Sequence, residues 1–358
     1  MTNGDEYIMI DAPHVGDFGF ATSAGGREVD PAEWHEHRPV LGLVREAGYL
    51  WGTLRDDDDR PLSFMRRLPE PDYVDAPPPT AHSLGPQLIL QAAWDDASDM
   101  RMRKEAARAP RSDSYVRRMD GDRVAWEVPD AQGARVVLGE RDARWTEPGI
   151  IDLEGERIGP GLHWYAPGRE IALYYTSQTW FVAGTVLDRP VRGYLFYEEA
   201  YVPSGGRLYV ARDVMSAGVH TVWYSWASEW DDHTVEFGHL VYGHDRFGMA
   251  VVANADGRVW VPRVDDCVVT RSADGYWHDR IDYVLDGEPW EVVAAPNGRM
   301  VDLGNPPNPQ QEAIVRRAGE QRRPVNWMAW GESVPGHGDR RRFTNPLNDV
   351  DGVARERG

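Results

Sequence analysis

The chain has one cysteine, Cys267, in 358 residues, so no internal disulfide is available and nothing calls for an oxidising compartment. Cys267 has no catalytic context and reads as a small buried hydrophobe. Positive charge is also short. The formal net charge is −19 and the pI about 5.0, which argues against a nucleic-acid partner, because phosphate binding needs a basic surface. No apolar run reaches the roughly 18 residues of a membrane-spanning helix, and the N-terminal stretch from Met1 to His14 lacks the basic and apolar regions of an export signal. A cytoplasmic protein with no integral membrane segment is expected.

Several reaction motifs are missing too. There is no Gly-x-Ser-x-Gly elbow, no Gly-x-Gly-x-x-Gly fingerprint and no P-loop, which lowers the case for serine hydrolases and for nucleotide or redox-cofactor enzymes. Long helical heptads are absent. The chain is instead rich in glycine (36), proline (26) and tryptophan (15), the composition of many short strands joined by turns. An all-β, mainly antiparallel fold with few short helices is expected.

Along the chain, Gly48 to Leu54 and Pro61 to Leu68 flank the acidic turn Asp56 to Asp59 as a hairpin, and Pro69 to Pro79 reads as a linker or surface loop. Met100 to Ala109 is a candidate short helix. Strands are expected at Gln87 to Ala92, Tyr115 to Arg118, Val124 to Val128 and Ala134 to Leu138. A denser series follows: Ile171 to Tyr175, Thr179 to Leu187, Val191 to Tyr201, Arg207 to Val214, Val219 to Ser228, Thr234 to Tyr242, Phe247 to Ala253 and Val259 to Val264. Eight such strands suffice to close a small barrel. A helix is expected at Pro309 to Gln321, before a polar tail.

The stretch from His163 to His244 holds 17 aromatic residues and five histidines in a β-type alternation. It reads as the wall of an apolar cavity carrying a few polar groups. Alternation places Tyr194, Phe196 and Glu198 on one strand face and Leu195, Tyr197, Glu199 and Tyr201 on the other. One of the two glutamates then lies among buried apolar groups, where a raised pKa suits a general acid near neutral pH. The competing reading is an ordinary ion pair with Arg192, Arg207 or Arg212.

His220, Val222, Tyr224 and Trp226 likewise share a face, opposite Thr221, Trp223 and Ser225. His220 and Tyr224 are thus a candidate proton-transfer pair, or a core pair satisfied by backbone. The candidate catalytic residues are Glu198, Glu199, His220, Tyr224 and His239. The candidate substrate wall is His163, Trp164, Tyr175, Gln178, Trp180, Tyr201, Trp223 and Trp226. His35 and His37 would share one side of a strand, but no third ligand is in sight, so no metal is expected.

Gly161-Leu162-His163-Trp164-Tyr165, Leu173 to Trp180, Gly184-Thr185-Val186-Leu187 and Val191-Arg192-Gly193 resemble the second half of hydroxyneurosporene synthase and AttH-like proteins, the carotenoid 1,2-hydratase-like superfamily. Tyr49 to Leu68, with Trp51-Gly52-Thr53-Leu54 and Ser63-Phe64, is similar to their first half. The resemblance implies two lipocalin-like β-barrels or sandwiches packed together, here 1–155 and 156–308, with a helix and polar tail over 309–358. It also implies a hydrophobic isoprenoid, steroid or polyketide-like substrate and chemistry without a cofactor. Where relatives carry a Tyr-His-Asp-x-Asn-Trp motif, this chain has Tyr197-Glu198-Glu199-Ala200-Tyr201.

The leading expectation is a hydratase, isomerase or cyclase working by acid–base catalysis in an aromatic cavity. A non-catalytic lipid or isoprenoid carrier, and a carbohydrate-binding or carbohydrate-processing protein, are the alternatives.

Overall fold

A computed structural model describes residues 22–70, 86–94, 99–129, 133–168, 170–217, 219–244, 247–301, 308–334 and Leu347. The linker read at Pro69 to Pro79 and the polar tail lie almost wholly outside the described residues.

The fold is almost entirely antiparallel β, in two curled half-barrel sheets. The first sheet begins with β1 (Ser23–Arg27), β2 (Val44–Asp56), β3 (Pro61–Pro69), β4 (Ile89–Ala92), β5 (Arg101–Met102) and β6 (Val116–Asp120). It continues through β7 (Arg123–Glu127), β8 (Arg135–Leu138), β9 (Asp142–Glu147), β10 (Ile151–Arg157), β11 (Gly161–Ala166), β12 (Leu173–Val186) and β13 (Arg189–Val202). The second holds β14 (His220–Trp230), β15 (Val235–Gly243), β16 (Gly248–Asn254), β17 (Val259–Trp260) and β18 (Val264–Arg271). It is completed by β19 (His278–Leu285), β20 (Glu288–Arg299), β21 (Gln310–Arg317) and β22 (Pro324–Ser333).

The acidic hairpin forms as expected: β2 pairs with β3, and the Asp56 carboxylate caps the turn by accepting from the Asp58 and Arg60 amides. The chain changes sheet after Val202, because β10 to β13 complete the first sheet by pairing back onto β9 and β2.

Three expectations are corrected. The helix at Pro309 to Gln321 is strand β21, since its helix-forming residues pair with β20 and β22; tertiary pairing overrides local propensity. The strand at Arg207 to Val214 is a loop of turns, in which the Val210 and Ala211 amides both bond back to the Arg207 carbonyl. The segment with His35 and His37 is not extended: Pro31–His35 forms a short helix, α1, N-capped by Asp30, and His37 meets Glu70 at 3.2 Å. Met100 to Ala109 contains one 3₁₀ turn, Lys104–Arg108.

Strand alternation sorts the side chains into three cores. Leu50, Leu54, Trp180, Leu195 and Tyr197 fill the concave interior of the first sheet, and Val222, Tyr224, Trp226, Ile281 and Trp290 that of the second. The remaining faces pack against each other. Trp51, Tyr175 and Phe196 from the first sheet join Trp223, Val241, Met328 and Trp330 from the second in one apolar cluster. Gly48 leaves room for the Tyr197 ring: a Cβ there would lie 2.6 Å from the tyrosine oxygen.

The sheets are also tied by an ion pair between Arg55 and Glu312, at 2.6 Å with both side chains buried, and by Arg55 stacking over Trp327 at 3.5 Å. Removing one partner of a buried pair strands the other charge. Glu312→Ala should therefore destabilise the protein by about 3 kcal/mol in denaturant unfolding. The Arg55→Met, Glu312→Leu double variant should recover most of that loss; equal instability of the two would contradict the assignment.

Candidate functional site

In β13, Glu198 stands between Phe196 and Ala200 on the face that meets the second sheet, while Glu199 points into the first sheet's interior. Register then sets the neighbours of Glu198. Tyr49 of β2 and Ser177 of β12 lie directly opposite it, and Trp51 and Tyr175 are one step away on the same face. Both aromatic donors reach one carboxylate oxygen: Trp51 Nε1 and the Tyr175 hydroxyl each donate to Oε2 at 2.6 Å.

The second sheet supplies the other side. Ser225 and His239 are cross-strand partners on β14 and β15. The Ser225 hydroxyl lies 3.4 Å from Glu198 Oε1 and 2.9 Å from His239 Nδ1, and His239 Nε2 lies 3.6 Å from the same Oε1. If serine donates to the glutamate, it accepts from a protonated Nδ1, which leaves the Nε2 lone pair facing Glu198; that tautomer is inferred from the network.

Glu198 is 2% exposed. Glu332 aside, every other buried glutamate among the described residues has an arginine within 2.9 Å. Glu199 and Glu70 share Arg45, and Glu46 pairs with Arg67. Glu147 pairs with Arg66, Glu236 with Arg317, Glu291 with Arg316 and Glu312 with Arg55, while Glu332 meets His220 at 2.6 Å. Glu198 has instead two neutral donors, a hydroxyl and an imidazole at 3.6 Å. Burial pushes its carboxyl up to about 7, against the downward pull of Tyr175, Trp51 and Ser225. Burial pushes His239 the other way, to about 3. Below about pH 7 the pair is uncharged, with the proton on the glutamate.

Aromatic rings enclose the carboxyl. Trp51 stacks on Phe196 at 4.7 Å and meets Trp330 edge-on at 5.1 Å. Tyr175 meets Trp223 edge-on at 4.8 Å, and Trp164 contacts both, at 5.5 and 5.4 Å.

Of the sequence candidates, Glu198, His239, Trp164, Tyr175 and Trp223 come together here. Glu199 does not: it pairs with Arg45, and its other oxygen accepts from Thr176 and Tyr201. Gln178, Trp180 and Tyr201 belong to the interior side of the first sheet, and Trp226 to the interior of the second. His163, half-buried near the β1 edge, lies against Tyr174 at 5.8 Å, and burial lowers its pKa.

His220 and Tyr224 do not share a face, because the β14 register slips between His220 and Val222. Tyr224 turns inward to His278 at 3.2 Å, and His220 turns to Glu332 in the inter-sheet layer. Trp51, Ser225, Trp330 and Glu332 were not singled out from sequence. Trp51 carried a signal in its aromatic strand, but which strands oppose one another across two sheets is not written in local alternation.

No family model matches the chain, and no curated protein matches it either. Solved structures do. An AttH-type protein from Nitrosomonas europaea is 15% identical, with 86% of this chain and 97% of that one covered and a TM-score of 0.47. Kievitone hydratase from Nectria haematococca is 7% identical, with 86% and 96% covered and a TM-score of 0.44. At TM-scores under 0.5, the chemistry has to come from this chain's own side chains.

A carboxyl whose pKa rises on folding stabilises the protein below its unfolded value, near 4.5, and that stability is lost as pH climbs through about 7. Glu198→Gln cannot ionise and should lack this loss. Between pH 5 and pH 8 the wild type should therefore weaken relative to the variant by about 3 kcal/mol in urea unfolding. Parallel stabilities across that range would count against the raised pKa.

Proposed function

We propose that the chain is an acid–base enzyme of the hydratase, isomerase or cyclase kind, acting without a cofactor on a hydrophobic isoprenoid, steroid or polyketide-like molecule between the sheets. The observation that carries this reading is Glu198, a buried carboxyl without an arginine partner, inside an aromatic wall, whose pKa burial raises to about 7. Burying such a group without a cation costs several kcal/mol, and the cost has a use if the proton is to be delivered. A carrier would need the apolar area alone.

In the proposed step, Glu198 gives its proton to one carbon of a substrate double bond. The π pair forms the new C–H bond, the neighbouring carbon becomes cationic and Glu198 becomes a carboxylate. The faces of Trp51, Trp164 and Trp223 stabilise the cation through their ring quadrupoles. Loss of an adjacent proton to Glu198 gives an isomer, and attack by a second double bond followed by that loss gives a ring. Addition of water with loss of its proton gives an alcohol. In each case the carboxylate regains one proton, directly or through His239 Nε2, and no net acid is consumed.

The test is turnover on a panel of polyene isoprenoids, steroid enones and polyketide-like enones, read by mass spectrometry for isomers and water adducts. Glu198→Gln should lose about a thousandfold in kcat, the scale of a lost general acid, and His239→Asn a smaller part of it. Glu199→Gln should lose stability with kcat nearly kept. Unchanged turnover in Glu198→Gln, or ligands bound and recovered unaltered by the wild type, would defeat the reading.

A further inference from the structure

The inter-sheet layer holds a second carboxyl that the acid step does not use. Glu332 of β22 stands directly opposite Trp223 of β14, one row along the same face from Ser225, whose partner on β22 is Trp330. Diagonal neighbours of this kind are about 7–8 Å apart, so Glu332 lies within one small-molecule length of the Glu198 centre. Trp223 forms the wall between them, edge-on to Tyr175 on one side and parallel to Tyr209 on the other, with ring centroids 6.4 Å apart and planes 11° from parallel.

Glu332 is buried, and it is held firmly. His220 Nε2 meets its Oε1 at 2.6 Å, the Tyr209 hydroxyl donates to the same oxygen at 2.7 Å, and Gln310 Nε2 donates to Oε2 at 3.5 Å. These partners differ in kind. His220 and Gln310 are buried strand residues, whereas Tyr209 is half-buried and comes from the loop that leads from β13 to β14. Its backbone is in the left-handed region, at φ 63°, which a bulky side chain adopts only when its surroundings impose it. A strained, solvent-touching loop residue thus lays a phenol across the face of Trp223 and onto a buried carboxylate.

We propose that Tyr209 is a placeholder: its ring and hydroxyl occupy the position that an alcohol or phenol group of the substrate takes, with Glu332 as acceptor, His220 orienting it and Trp223 as the stacking surface. This rests on the reading of the inter-sheet layer as a substrate site and adds the substrate class, a hydrophobic molecule with a hydroxyl group remote from the atom Glu198 protonates. When the substrate enters, Tyr209 swings toward solvent and its strained loop relaxes. One hydrogen bond to Glu332 is exchanged for another, so the buried carboxylate keeps its full set of donors. The Tyr209 exchange also opens the layer from the side of the residue that already reaches solvent.

The experiment uses the full chain with 2-naphthol and naphthalene as probes, followed by ligand-detected NMR titration. Wild type should bind 2-naphthol about tenfold more tightly than naphthalene, the scale of one buried hydrogen bond. Tyr209→Phe removes the competing hydroxyl. It should bind 2-naphthol several-fold more tightly still, with naphthalene unchanged. Glu332→Gln should bring the two probes to within about twofold, since the amide keeps one acceptor oxygen where the carboxyl has two. Glu198→Gln should keep the preference whatever its effect on turnover, which separates failure of this inference from failure of the acid assignment. Equal binding of the two probes by wild type, binding of neither, or a preference that survives Glu332→Gln would overturn the proposal. Should Glu332→Gln not fold, Tyr209→Phe decides: unchanged or weaker 2-naphthol binding overturns it.

Discussion

A carboxyl group placed between two β-sheets without a cation must either lose its charge or destabilise the layer that holds it. Glu198 is so placed, and its surroundings follow from that constraint. Trp51 and Tyr175 satisfy one oxygen without supplying charge, while Ser225 and His239 face the other from the opposing sheet. The ring of tryptophans keeps water away and the dielectric low. The same burial that raises the glutamate suppresses protonation of His239, so the two groups face each other as an acid and an unprotonated base. Two titratable neighbours whose pKa values are pushed in opposite directions form a usual basis for acid–base assignments.

The contrast with Glu199 shows how one strand serves two purposes. Adjacent residues on β13 point to opposite faces, and the one that enters the first sheet's interior finds Arg45, whose guanidinium is itself shared with Glu70. That network, extended by Arg117 on Glu70, fixes the end of the first sheet through paired charges. On the face turned to the second sheet, no such cation pairs with Glu198 among the described residues. One residue apart in sequence, Glu199 thus stands beside an arginine and Glu198 beside neutral donors.

Much of this was legible in the chain. Alternation correctly divided Glu198 from Glu199, because an undistorted strand has a strict period of two. It failed at His220, where one slipped residue reversed the face and transferred His220 from Tyr224 to Glu332. It failed at Pro309 to Gln321, where helix-forming residues are recruited into a sheet by strands on either side. Tyr209 was read as part of a strand and is a turn residue, since its left-handed backbone has no glycine to announce it. Trp51 and Ser225 were beyond reach for another reason. Their importance lies in what faces them across the sheets, 147 and 27 residues from Glu198, and only packing brings those segments together.

The central claim is that Glu198 carries a proton near neutrality because it is buried without a cation. The most direct measurement is the infrared difference spectrum of wild type minus Glu198→Gln in the carboxylic-acid C=O region, followed from pH 5 to pH 8.5. The account predicts a protonated-carboxyl band that disappears with a midpoint of about 7. A carboxylate already ionised at pH 5, with no such band anywhere in the range, would contradict it.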